Sequence, residues 1–85
     1  MDARAAMLID FVKTSLAKDP ALELVEDTAL LSSGVIDSFA LVELMLEVER
    51  VTGRCIPRGK ARPEHFETVR EMLAMAERIG TEPPR

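Results

Sequence analysis

An 85-residue chain of net charge −4 has room for one small core and repels polyanions. Its 47% apolar and 31% charged residues are the proportions of a globular chain, while three Phe with no Trp or Tyr imply an aliphatic core and few rings for base stacking. One Cys closes no internal disulfide, no apolar run reaches the roughly 20 residues of a membrane span, and the start lacks a signal-peptide pattern, so a single cytoplasmic domain with no nucleic-acid or membrane partner is expected.

Asp2 to about Ala17 reads as the first helix. Asp2 can cap it, and Leu8, Phe11, Val12 and Leu16 recur at helical spacing, with Met7 and Ile9 widening the stripe. Asp19-Pro20 is expected to end it, because a residue before proline is pushed out of the helical region. Pro20 to Ile36 is then a long connection, and a structureless loop of that length is unusual in a compact domain. Leu22, Leu24, Val25, Leu30 and Leu31 are expected to anchor it across the bundle, with a short turn near Ala21 to Val25.

The stretch Gly34-Val35-Ile36-Asp37-Ser38 prepares the central helix, Phe39 to about Thr52. Gly34 permits a sharp turn, and Asp37 can cap the amides of the first helical turn. Ser38 then lies outside the core at a helix start, where the dipole and free N–H groups favour an attached anion. Ser32 and Ser33 do not follow the Asp-Ser junction and read as turn residues.

At about 100° per residue the central helix carries two apolar stripes rather than one. Leu41, Leu44, Met45, Val48 and Thr52 share the side expected to face the core. Phe39, Val42 and Leu46 fall opposite, flanked by Glu43 and Glu49, with Arg50 between Glu43 and Phe39 on the wheel. Unpaired carboxylates are rarely buried, so the second stripe reads as a docking surface comprising Phe39, Val42, Glu43, Leu46, Glu49 and Arg50.

Gly53 closes this helix, and Arg54-Cys55-Ile56-Pro57 is an extended exit with Ile56 inward. Arg54, Arg58, Lys60 and Arg62 make a basic segment that reads as a solvated loop before it reads as a phosphate or partner site. Pro63 suits the first turn of a short helix through Glu64 to Phe66, with Phe66 inward. Thr68-Val69-Arg70-Glu71 is a capping box for the last helix, whose core stripe is Val69, Met72, Leu73, Ala76 and Ile79. Gly80 and Pro83-Pro84 end it, and residues 81–85 are expected to form a mobile tail. His65 lacks ligand spacing and Cys55 lacks a partnered His-Asn set, so neither a metal nor a catalytic residue is assigned.

Gly34-Val35-Ile36-Asp37-Ser38-Phe39 followed by Leu41-Val42-Glu43-Leu44 resembles the acyl carrier proteins and peptidyl carrier domains, whose signature is Asp-Ser-Leu at the start of the second helix with Val-Glu-Leu shortly after. Ile56-Pro57 and Pro63-Glu64-His65-Phe66-Glu67-Thr68-Val69 extend the resemblance over most of the chain, and Leu30 matches a leucine that carriers commonly place there. The resemblance implies an all-α bundle of three main helices plus one short helix. It implies phosphopantetheine on Ser38 in phosphodiester linkage, beside the capping Asp37, installed from coenzyme A by a phosphopantetheinyl transferase. The arm would hold acyl or aminoacyl groups as thioesters. A loading ligase or transferase and downstream biosynthetic enzymes would be the partners of a free-standing, monomeric, non-enzymatic carrier. Phe39 in place of the usual Leu, Arg50 in a commonly acidic part of the helix, and Thr52 in place of a frequent aromatic lean toward a secondary pathway with an amino acid or short acyl unit. An unmodified helical adaptor, binding a partner helix through Phe39, Val42 and Leu46, is the competing reading. A helix-turn-helix regulator is disfavoured by the acidic charge.

Overall fold

Asp2 is extended and its Oδ1 accepts the Arg4 amide at 2.8 Å, which starts α1 (Ala3–Phe11). In this computed structural model, which describes residues 2–82, α1 runs on through a π-helical stretch, Val12–Leu16. Lys18, in the left-handed region at φ 54°, closes the final turn, and Asp19 N–H returns to the Lys13 carbonyl at 2.8 Å. The stop thus comes before the Asp19-Pro20 pair expected to impose it: one left-handed residue satisfies the last carbonyls before the proline restriction acts.

The other elements are a 3-10 turn, Ser38–Ala40, leading into α2 (Leu41–Thr52), a second 3-10 turn, Pro63–Phe66, and α3 (Val69–Ile79). α1, α2 and α3 pack against one another, with the Pro63–Phe66 turn against α2 and α3, so the fold is a small all-α bundle. Gly53 ends α2 in the left-handed conformation at φ 69°. Thr68 Oγ1 accepts the Glu71 amide at 3.0 Å and caps α3. None of the described helices is long and apolar enough to cross a membrane.

The core joins Leu8, Ile9 and Val12 of α1, Leu44 and Val48 of α2, and Val69, Met72, Leu73, Met75 and Ala76 of α3. Leu30, Ile36, Ile56 and Phe66 reach in from the connections. Each of the larger of these side chains, once buried, contributes about 1.5–3 kcal/mol against solvent exposure. Met75 is fully buried although outside the expected stripe, because α3 is covered by α1, by α2 and by the Pro63–Phe66 turn, a wider arc than one stripe spans. Met7 is exposed at the rim of α1 rather than part of its buried stripe.

Backbone and ionic ties hold the long connection as well as apolar anchors do. Leu30 N–H donates to the Glu67 carbonyl at 2.8 Å, and Arg70 N–H donates to the Glu26 carbonyl at 3.1 Å. The Arg70 guanidinium also meets Asp27 at 2.5 Å. Leu30 is buried, and Leu24 and Leu31 pack partly on the core, but Val25 points to solvent. The turn anticipated at Ala21 to Val25 is confined to Pro20 and Ala21, with another at Glu26 and Asp27. Thr81, placed by sequence in a mobile tail, pairs antiparallel with Cys55 through bonds of 2.7 and 2.8 Å. Residues 83–85, including Pro83-Pro84, lie outside the described residues.

Candidate functional site

Two turns of the connection bring residues 37–39 to the outside. Gly34 N–H bonds the Leu31 carbonyl at 3.1 Å, and Gly34 takes φ 82°, a left-handed conformation costly for a residue with a Cβ. Ile36 then plugs into the core while its N–H returns to the Leu30 carbonyl at 3.1 Å. With Ile36 pinned inward and Asp37 extended, the chain leaves the core as it enters the Ser38–Ala40 turn. Asp37 Oδ1 accepts the Ala40 amide at 3.1 Å, as an N-cap should.

Three hydroxyls lie close together in sequence, and the structure separates them. Ser32 Oγ donates to Glu67 Oε1 at 3.0 Å, and its amide donates to the same oxygen at 3.1 Å. The Ser32 amide is the chief reason that the Glu67 carboxyl is held below the usual carboxylate range. Ser33 Oγ donates to the Ala29 carbonyl at 2.5 Å. Ser38 is exposed, and no group among the described residues bonds its hydroxyl. The first amides of its turn precede any intrahelical acceptor and remain open to an anion. Ser15, Leu16, Lys18, Asp37, Phe39, Ala40 and Glu43 line an open groove of about 420 Å³ beside it.

The second stripe of α2 is in solvent: Phe39 is 89% exposed, Val42 69% and Leu46 52%. Leu44 and Val48 on the other side are buried, and Leu41, Met45 and Thr52 are partly so. Glu43 is exposed between the turn and the stripe.

Glu49 departs from the docking surface read from the wheel, and Arg50 lies at its Leu46 end rather than between Glu43 and Phe39. The Glu49 side chain is only 19% exposed and turns toward the α2 exit. Its carboxylate accepts the Ile56 amide at 2.7 Å and the Arg58 guanidinium at 3.1 and 3.2 Å. The Arg58 bond, followed by the Ile56 amide, holds this carboxyl below its ordinary range. Arg50 is exposed but folds along its own helix onto Glu47, with Nε 3.0 Å from Oε1. It borders Leu46 on one side and Met7, Asp10 and Phe11 of α1 on the other, so it lies at the far end of the stripe from Phe39. A wheel projects along the axis and loses both facts: the height of Arg50 and the inward reach of Glu49.

The basic segment is also partly structural. Arg54 donates to the Ala76 carbonyl at 2.9 Å and the Gly80 carbonyl at 2.6 Å, capping the end of α3. Arg58 is taken by Glu49, leaving Lys60 and Arg62 exposed. His65 Nδ1 accepts the Arg62 amide at 3.0 Å, which fixes the short turn.

No family profile and no curated protein matches the chain. Among solved structures, it is similar to a chain in one described as "Crystal structure of FAD-dependent dehydrogenase", with a TM-score of 0.64 and 33% sequence identity. The match covers 79% of this chain and 94% of that one, which makes the matched chain only about 70 residues long. The two chains belong to one family and share this small helical fold.

Proposed function

We propose that this protein is a carrier whose Ser38 accepts a phosphopantetheine arm and whose α2 face presents the arm's thioester cargo to partner enzymes. The observation that carries the reading is the unspent hydroxyl: Ser38 is free and exposed at a capped helix start, while Ser32 and Ser33 are committed to internal bonds. The resemblance of Asp37-Ser38-Phe39 and Leu41-Val42-Glu43-Leu44 to the carrier signature gives that hydroxyl its chemistry.

In the attachment step the Ser38 oxygen forms a bond to the phosphorus next to pantetheine in coenzyme A. The pyrophosphate bond breaks, and adenosine 3′,5′-bisphosphate leaves. Asp37, the neighbouring carboxylate, is occupied by the Ala40 amide, so the transferase supplies the base that takes the serine proton. The open amides at the turn and the dipole of the helix behind it favour the phosphodiester once formed. The arm's terminal thiol, when bound, supplies the thioester chemistry, and the chain supplies attachment and recognition. The work fits a reducing cytoplasm, and the cargo lean is to an amino acid or short acyl unit.

A flavin-binding fold of two βαβαβ halves needs a parallel sheet and far more residues than the matched relative has. A flavin-dependent dehydrogenase is therefore the first enzyme class to try as a partner of the loaded carrier, alongside a loading ligase or transferase.

Intact mass after treatment with a phosphopantetheinyl transferase and coenzyme A tests the assignment. One phosphopantetheine should be added to the wild type and none to Ser38→Ala, with both proteins folded alike, because an exposed hydroxyl contributes little to the core. Modification of Ser38→Ala, or an unmodified wild type, would sink the carrier reading; the second result would leave the adaptor.

A further inference from the structure

We infer that the phosphopantetheine arm, once on Ser38, lies in the groove between the end of α1 and the start of α2, where Lys18 pairs with its phosphodiester and Leu16 and Phe39 flank its geminal methyl groups. This rests on the carrier reading and adds a binding site for the arm to the point of attachment.

The π-helical stretch that ends α1 closes with Ala17 N–H on the Val12 carbonyl and Asp19 N–H on the Lys13 carbonyl, both at 2.8 Å. Ser15, Leu16 and Lys18 of this segment face the start of α2 across the groove of about 420 Å³. Asp37 and Phe39, the residues on either side of Ser38, both line it, so the serine stands at its rim. Small-molecule sites have volumes of roughly 300–1,000 Å³, and this groove is within that range. Past Ser15 a second groove, of about 310 Å³, continues between Phe11 and Thr14 of α1 and the paired Glu47 and Arg50 of α2. The two together give an arm that starts at Ser38 a track along α1.

The groups along the arm find counterparts in this order. A phosphodiester comes first, and Lys18 is the single cation lining the first groove. Among the described residues its ammonium forms no ion pair, so it is available to an anion. The backbone does not explain a lysine here, since a left-handed residue at φ 54° is more readily Gly or Asn. The geminal methyl groups come next. Leu16 packs partly on the core and Phe39 is 89% exposed, so methyl groups set between them take apolar surface out of water. A hydroxyl and amides follow, for which the exposed Glu43 carboxylate is an acceptor one turn further along α2. The acids also set the need for Lys18. Asp37 is turned onto the Ala40 amide, but it and Glu43 still share the groove with the incoming phosphodiester. Without Lys18 three like charges would stand together, and their repulsion would drive the arm out into solvent.

The experiment compares NMR spectra of the full chain before and after a phosphopantetheinyl transferase adds the arm from coenzyme A, with intact mass confirming each product. Attachment should shift the amides of Ser15, Leu16 and Lys18 as well as those near Ser38, and the geminal methyl protons should show NOEs to the Phe39 ring and the Leu16 methyl groups. Lys18→Asn suits the left-handed backbone, so before attachment its spectrum should match the wild type away from position 18. After attachment its NOEs to Leu16 should weaken about two- to fivefold, the population change that one exposed ion pair makes, and its phosphorus resonance should move. Lys18→Arg, which keeps the charge, should restore both. Amide changes confined to residues 37–40, with no methyl NOE to α1, would mean that the arm projects freely and would overturn the proposal. NOEs to α3 in place of α1 would refute it by putting the arm on another wall, and a Lys18→Asn product indistinguishable from wild type would remove Lys18 from the site. Each of those results leaves Ser38 as the attachment point. A wild type that takes no arm under any condition would instead overturn the carrier reading, and this site with it.

Discussion

Replacing Glu49 separates a carboxylate that holds the fold from one that greets a partner. Glu49 Oε2 accepts the Ile56 amide at 2.7 Å, and Ile56 is a buried anchor of the α2 exit. Hydrogen bonds to a charged group contribute about 1.5–3 kcal/mol, and an amide left without its acceptor loses that stabilisation. The Arg58 pair adds less, because its guanidinium is 56% exposed and screened, about 0–1 kcal/mol. Glu49→Ala should therefore cost about 2–3 kcal/mol, and Glu49→Gln, which keeps an acceptor for Ile56, roughly half of that. For a domain of this size, about 4–8 °C of Tm accompanies each kcal/mol, so the alanine variant should melt about 10–20 °C lower. The pH dependence has a defined sign. Arg58 and then the Ile56 amide lower the folded carboxyl from its ordinary 4.5, so this stabilisation is present above that value and is lost as pH falls through the depressed pKa. Urea melts of wild type and Glu49→Ala at pH 7 and pH 3 should show the gap between them narrowing in acid. A gap below about 0.5 kcal/mol at pH 7, or one that widens in acid, would refute the claim that Glu49 is structural and return it to the docking face.

Leu44→Ala should cost about 2–5 kcal/mol because Leu44 is fully buried, whereas Leu46→Ala, half in solvent, should stay within about 0.5 kcal/mol, and equal losses in thermal melts would mean that α2 has no exposed stripe. Lys18→Gly should stabilise the domain by about 0.5–1 kcal/mol, the left-handed penalty at φ 54° less the entropy that glycine adds to the unfolded chain, and a destabilised variant would show that this side chain does more than close α1.

The elements themselves were legible in the linear order of residues. Helical spacing marked α1, α2 and α3, and Asp2, Asp37 and Thr68 marked their starts, because caps and apolar periodicity are local properties of a dozen residues. The two stripes of α2 and the inward anchors Leu30, Ile56 and Phe66 were readable for the same reason. So was the placement of Ser38 outside the core, since Gly34, Ile36 and Asp37 determine it within five residues. Only the tertiary structure decided how the polar groups are spent. Glu67 takes Ser32, Glu49 takes Ile56 and Arg58, and Arg54 takes the end of α3, all across connections that no wheel represents. Met75 became core and Thr81 became paired because neighbours distant in sequence came to cover them. Side-chain charge can be counted along a sequence, but whether it is free or neutralised depends on which partners lie within about 3 Å in space.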